Sequence, residues 1–198
     1  FNSTVAGIEE SDCILLVGTN PRKESPVLNA RIRKRWLKGN FHIGLVGEAS
    51  DLTYSYKYLG AGPQTLSAPD VRPPDGAKRP MIIIGQGALA RDDGAAVLAA
   101  AARVALASGA VSPQWNGFNV LHTAAARVGG LDIGFVPGED GCDARAMAQG
   151  GVDVLFNLGA DEIEIDPGPF VIYQGTHGDR GAQRADVVHC SAAARQQI

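Results

Sequence analysis

The chain has 198 residues, 45% of them hydrophobic and 20% charged, with a formal net charge of −3. That length suits one medium domain or two small ones with a sizeable core, and the slightly acidic balance gives no general argument for nucleic acid or a membrane surface as partner. No apolar run approaches the roughly 20 residues needed to cross a bilayer, and no signal peptide is visible. The chain begins at Phe1, without an initiator Met, and runs at once into secondary structure, as expected of a piece of something longer. Its three cysteines, Cys13, Cys142 and Cys190, are far apart and form no C-x-x-C pair. Neither a zinc ribbon nor an iron–sulfur ligand run is therefore written here, and the unpaired pattern favours a reducing compartment.

The first element is the run Asp12–Val17, rich in Ile, Leu and Val, which reads as a parallel-sheet strand buried on both faces. Gly18 stops it, and Thr19-Asn20-Pro21 forces a turn. Ser25 is placed to cap a helix whose first position is Pro26. Leu28, Ile32 and Trp36 give that helix an apolar stripe, Arg31, Arg35 and Lys38 lie on another face, and Gly39 ends it. This is half of a βαβ unit, and the loop Gly18 to Arg22 lies at the strand's carboxyl end, where open α/β sheets hold ligands.

His42–Gly47 reads as a second strand, followed by the polar-aromatic segment Asp51–Tyr58. Gly60 to Pro80 holds Pro63, Pro69, Pro73, Pro74 and Pro80, so no regular element is expected there. Met81–Gly85 is a third strand, and Asp92-Asp93 opens an Ala-rich helix to about Ser108, closed by Gly109. Helices are expected over Phe118 to about Val128 and roughly Asp143 to Gln149. Further strands are expected over 152–159, Phe170–Gln174 and Ala185–Val188. The alternation predicts an α/β fold: a Rossmann-like, mostly parallel sheet with helices on both faces. The corresponding division is 1–62 as a first βαβ portion, 63–80 as a Pro-rich linker or excursion, 81–188 as a second α/β portion of the same region, and 189–198 as an atypical tail.

Several groups could carry chemistry. Gly85-Gln86-Gly87-Ala88 resembles the start of a dinucleotide fingerprint but lacks its third glycine. The loop Gly18-Thr19-Asn20-Pro21-Arg22 is no Walker P-loop, yet its amides and Arg22 could hold an anion. Asp161, Glu162, Glu164 and Asp166 could bind a metal or do acid–base work, or form a solvated loop. His177 and Asp179 are two apart, as in some catalytic pairs, but no G-x-S-x-G elbow accompanies them. Cys13, inside a strand, reads as a small buried hydrophobe. His42 and His122 fall within elements and need no role.

Leu15–Arg22 with Pro26 and Asn29-Ala30-Arg31-Ile32-Arg33-Lys34 resembles the molybdopterin-oxidoreductase-like part of the family of large iron–sulfur subunits of NADH:quinone oxidoreductase, complex I. The resemblance continues in order through Asp51-Leu52-Thr53-Tyr54, Leu59-Gly60, Lys78–Met81, Asp93–Ala96, Trp115–His122, Leu158–Asp161, Tyr173–Asp179 and Ala185–Val188. Two regions depart from it. Gly62 to Gly76 is shorter and richer in proline than the family's helical segment, and after Val188 the chain reads His189-Cys190-Ser191 where the family continues with Leu-Pro-Gly.

The resemblance implies a molybdopterin-oxidoreductase-like fold acting as a scaffold in the hydrophilic arm, with no catalytic residue and no metal ligand of its own. Electrons would pass from NADH to quinone through clusters outside the segment, the parent subunit carrying 4Fe-4S and 2Fe-2S clusters on cysteines absent from this chain. In the family's molybdenum enzymes the loop after the first strand helps hold the pterin. Gly18, Thr19, Asn20 and Arg22 are accordingly candidates for a vestigial anion or pterin loop. Implied partners are other hydrophilic-arm subunits of complex I, with no nucleic acid and no direct membrane insertion. The implied location is peripheral, on the cytoplasmic face of a bacterial inner membrane or the matrix side of the mitochondrial one. Two alternatives remain from the residues: part of a molybdopterin-dependent, formate-dehydrogenase-like oxidoreductase that binds the pterin, or a stand-alone nucleotide-binding module using Gly85 to Gly87.

Overall fold

The structure, a computed structural model, describes residues 1–124, 126–176 and 180–190. It divides into two compact units, Phe1–Arg127 and Val128–Ile198. The boundary falls inside the 81–188 stretch, and the Pro-rich stretch 63–80 lies within the first unit.

In the first unit a short helix, α1 (Gly7–Glu10), leads into β1 (Cys13–Val17). Two helices follow in succession, α2 (Pro21–Glu24) and α3 (Pro26–Leu37), then β2 (His42–Val46) and β3 (Lys57–Gly60). A 3-10 turn at Pro63–Ser67 precedes β4 (Pro80–Gly85), α4 (Gln86–Leu89) and α5 (Gly94–Ala107). A two-stranded antiparallel ribbon, β5 (Val111–Ser112) and β6 (Trp115–Asn116), leads to β7 (Phe118–Leu121). The sheet runs β3-β2-β1-β4-β7, with every pairing parallel. Both neighbours register on β1 without offset: Cys13 stands opposite His42 and Pro80, Val17 opposite Val46 and Ile84. This doubly wound order reverses between β1 and β4, so the loops after those two strands flank its switch point.

Each face has its own core. Ile14, Leu16, Ile43, Leu45, Met81 and Ile83 pack with Ile8 of α1 and with Leu28 and Ile32 of α3. Val17, Val46, Ile82 and Ile84 pack with Val97, Ala101 and Ala105 of α5. The alanines let α5 lie close to the sheet, as its composition predicts. On α3, Leu28 and Ile32 are buried, whereas Trp36 is partly buried at the edge of the cluster.

Three expectations are corrected. The stretch from Phe118 does not begin a helix. Phe118–Leu121 adds a parallel strand to β4, with Ile82 opposite Phe118 and Gly85 opposite Leu121, because its backbone finds partners in that strand's free edge. Short apolar runs carry too little periodicity to separate the two forms. The Pro-rich stretch does hold one regular turn, at Pro63–Ser67, which buries Leu66 in the α5-side core. Ser25 occupies the N-cap of α3, but its hydroxyl makes no capping bond, since the serine is the joint between two successive helices. Its N–H donates to Pro21 O (3.0 Å) and its carbonyl accepts from Asn29 N (3.0 Å). The basic face of α3 is also partly engaged by the chain itself. Arg31, Lys34 and Lys38 converge on Glu9 of α1 at 3.1, 3.1 and 3.7 Å. They hold the Glu9 carboxyl below its usual range, the Lys34 bond foremost.

The second unit carries α6 (Arg127–Asp132, entering from the first unit), α7 (Ala144–Ala148), β8 (Val154–Leu158), β9 (Phe170–Gly175), α8 (Arg180–Arg184) and β10 (Val187–Cys190). Its parallel sheet runs β10-β9-β8. One face buries Val171 and Tyr173 almost completely. The other shows Val154, Phe156 and Leu158 of β8 beside Phe170 of β9, with Phe156 64% and Leu158 67% exposed.

Ile32→Ala is expected to cost about 2–5 kcal/mol, the range for emptying a buried site. Trp36→Ala, at the cluster's edge, should cost distinctly less. Denaturant titration of the two variants checks the order.

Candidate functional site

The candidate loop begins where β1 stops. Gly18 adopts φ +53°, and a side-chain carbon there would stand 2.5 Å from Ala88 Cβ. From the adjacent strand end, a carbon on Gly85 would stand 2.4 Å from Gly18 O. Gly85 thus serves the close approach of the two strand ends, which accounts for a glycine at the end of β4 without any nucleotide. The switch point is closed by backbone packing at this level.

Beyond Gly18 the polar groups turn to one another. Thr19, largely buried, donates its hydroxyl to Glu24 Oε2 at 3.1 Å, and the Asn20 N–H donates to Glu24 Oε1. Asn20 Oδ1 in turn accepts from Lys23 N at 3.3 Å. This reciprocal arrangement is a helix cap: a side-chain oxygen takes one orphan amide of α2 and a glutamate reaches back to the capping residue. Arg22 leaves the loop sideways, donating to Asp51 O (3.1 Å) and pairing with the Asp51 carboxylate. Asp51 also accepts from Thr53 N at 2.9 Å, and that amide first, then Arg22, holds its carboxyl below the usual range.

Beneath this surface pair lies a buried one. Tyr54 Oη donates to Asn29 Oδ1 at 2.8 Å, and Asn29 Nδ2 donates to Leu52 O at 3.1 Å. Burial pushes the Tyr54 phenol up, so it stays a neutral donor. Two stretches that stand apart in sequence, Thr19–Arg33 and Asp51–Tyr54, are therefore one brace. A second brace joins Asp12 to the start of β4. Asp12 Oδ2 accepts from Lys78 N (2.6 Å) and Arg79 N (2.8 Å). Trp115 Nε1 donates to Pro80 O at 2.7 Å, with the Arg79 guanidinium over its ring.

The other candidates fall as follows. Cys13 is buried in β1, and burial pushes its thiol up to about 11, which suits a packed hydrophobe rather than a nucleophile. His42 is exposed at the start of β2. His122 follows β7, and its Nδ1 is buried without a hydrogen-bond partner among the described residues. In the second unit, Asp161 accepts from the Tyr173 hydroxyl, while Glu162, Glu164 and Asp166 are exposed. Arg184 holds that loop through Ile165 O (3.2 Å) and Asp166 O (2.9 Å). Among the described residues no three His, Cys, Asp or Glu side chains gather as metal ligands. His177 and Asp179, like residues 191–198 of the tail, lie outside the described residues.

The structure thus brings Gly18, Thr19, Asn20 and Arg22 together, but with partners that the sequence does not single out. Glu24 carried a legible signal, an acid four residues after a capping Asn. Asp51 and Asn29 had none, since their partners lie more than 20 residues away.

Residues 1–193 match the family model described as molybdopterin oxidoreductase. The chain is 43% identical over 197 residues to the mitochondrial NADH dehydrogenase [ubiquinone] iron-sulfur protein 1 of Solanum tuberosum, a match covering 95% of this chain and 26% of that protein. It is 43% identical over 203 residues to the mitochondrial NADH-ubiquinone oxidoreductase 78 kDa subunit of Neurospora crassa, covering 98% and 26%. With a subunit of the NADH-quinone oxidoreductase of Rickettsia bellii the figures are 37% over 208 residues, covering 100% and 29%. The chain therefore spans between a quarter and a third of the length of the curated relatives it matches. These are the relatives to which the motifs from Leu15 to Val188 pointed.

The two layers of the first brace separate by burial. Asn29→Ala should cost about 1–3 kcal/mol by leaving the Tyr54 hydroxyl and Leu52 carbonyl unpaired. Arg22→Ala, which removes an exposed ion pair, should cost under about 1 kcal/mol. Unfolding midpoints of the two variants check the contrast.

Proposed function

The chain belongs to the molybdopterin oxidoreductase family, and from that premise we propose that it is a scaffold segment of the peripheral-arm iron–sulfur subunit of NADH:quinone oxidoreductase. Electron transfer from NADH to quinone runs through flavin and clusters outside the segment, the parent subunit carrying 4Fe-4S and 2Fe-2S clusters. The observation that carries this reading is the closure of the loop after β1. A pterin cofactor of this family bears phosphate, and the loop would hold it through the Asn20 amide, the Thr19 hydroxyl and Arg22. Glu24 already accepts from the first two, and Asp51 engages the third. A phosphate brought there would meet a carboxylate instead of donors, at an energetic cost. The residues present do not fit the group, and no chemical step is assigned to it.

A scaffold also needs surfaces, and the second unit supplies one. Parallel sheets are ordinarily covered on both faces, yet Val154, Phe156, Leu158 and Phe170 form an exposed apolar row. Contiguous apolar surface of this kind marks an interaction site, and it supports contact with other hydrophilic-arm subunits. No helix among the described residues is long and apolar enough to cross a membrane. The segment is read as peripheral, on the cytoplasmic face of a bacterial inner membrane or the matrix side of the mitochondrial one, without contact to nucleic acid.

Metal and pterin analysis of the full-length parent subunit tests the reading. Iron without molybdenum, tungsten or fluorescent oxidised pterin is the expected result. Stoichiometric molybdenum or tungsten with pterin would overturn it and return Gly18 to Arg22 to a working site.

A further inference from the structure

The two faces of the first sheet are unequally covered. On the α5 side, one long helix, the short α4 and one 3-10 turn cover five strands, and α5 is built mostly of alanine. Its buried contacts, Val97, Ala101 and Ala105, pack with Val17, Ile82 and Ile84 of β1 and β4 and with Val46 of β2, whereas nearer the start of β2 Gly44 is overlain by Leu15 and Leu59, whose Cδ1 atoms would stand 3.3 and 3.0 Å from a side-chain carbon there. The amino-terminal half of this face is covered instead by the strap Asp70–Pro74. Proline at 73 and 74 prevents the strap from bonding as a strand or helix, and only Val71 is inserted into the core.

A cleft of about 430 Å³, within the size range of small-molecule sites, is lined by the strap, the starts of the strands and the end of α5, and its lining also takes in Trp36, Phe41 and Tyr56 from the other core. Its half-buried apolar lining includes Leu15, Gly44 and Leu59, with Val104 and Ser108 at the end of α5. This is the opposite edge of the sheet from the loop after β1, since the cleft reaches Cys13, His42 and Pro80, the first residues of their strands. The mouth carries three charges. Lys57 and Asp70 pair with each other at 3.4 Å. Arg72 is exposed, and among the described residues no carboxylate lies within ion-pair distance of it. Arg72 thus lines the cleft as a cation without a carboxylate partner among the described residues.

We propose that this cleft is a binding site for a small amphipathic monocarboxylate, with its apolar body against Leu15, Gly44 and Leu59 and its carboxylate on Arg72. The guanidinium presents a planar fork that suits a carboxylate. A single unmatched positive charge selects a monoanion over a neutral or cationic molecule of the same shape, and a hydrocarbon body gains from leaving water in a site walled by Leu15, Leu59 and Val104.

Calorimetric titration of the full-length protein with decanoate below its micelle concentration tests the site, with decylammonium as the charge-reversed control. Decanoate should bind saturably with decylammonium clearly weaker, and Arg72→Glu, an exposed change that leaves the fold intact, should weaken decanoate by about tenfold or more. Absence of saturable decanoate binding, equal binding of the two amphiphiles, or decanoate binding unchanged in Arg72→Glu would each overturn the assignment.

Discussion

The Glu24 carboxylate on the Asn20 amide and the Thr19 hydroxyl is the interaction on which the closed loop depends. In a doubly wound sheet the loop after the first strand lies at the switch point, where outward-facing amides make a natural anion site. Here those donors are satisfied from within four or five residues of the same chain, and the neighbouring cation is held by Asp51. The strand order that creates a ligand edge is retained. The chemistry that would use the edge has been turned inward, and the same contacts that close the loop also cap α2 and tie it to the segment after β2.

Closure of this kind recurs elsewhere in the chain. Asp12 takes the amides of Lys78 and Arg79, Asp143 takes Ala146 N at the start of α7, and Asp186 takes Val171 N in the second sheet. In each case a carboxylate satisfies backbone N–H groups, exposed at Asp12 and Asp143 and half-buried at Asp186. Of the acidic cluster that looks chemically available in the sequence, Asp161 is a structural acceptor for the Tyr173 hydroxyl, while Glu162, Glu164 and Asp166 are exposed. Other stretches distant in sequence are joined by neutral bonds: Asn29 meets Tyr54, and Trp115 meets Pro80.

Much of the fold was legible because it rests on local signals. Continuous runs such as Ile14–Val17 and Ile82–Ile84 are long and apolar enough to name buried parallel strands, and Pro26 and Gly39 mark the ends of α3. What could not be read depends on partners distant in sequence. Phe118–Leu121 is a strand only because β4 offers it an edge, and the turn at Pro63–Ser67 is fixed by burial of Leu66 rather than by its own propensity. The candidate loop was legible for the same local reasons. Its roles were not, since a list of donors does not disclose which acceptors the fold brings to them. Resemblance to a family placed the stretch in context, and only the geometry separates a loop with free donors from one whose donors are taken.

The most direct measurement is hydrogen–deuterium exchange at the Asn20 amide of the full-length protein, resolved to single residues and compared with a Glu24→Ala variant. A closed loop predicts a protected amide in the parent protein that becomes fast-exchanging in the variant while the surrounding strands keep their protection. An Asn20 amide that already exchanges at the rate of an open loop in the parent protein would contradict closure, because the loop's donors would then be free for a ligand.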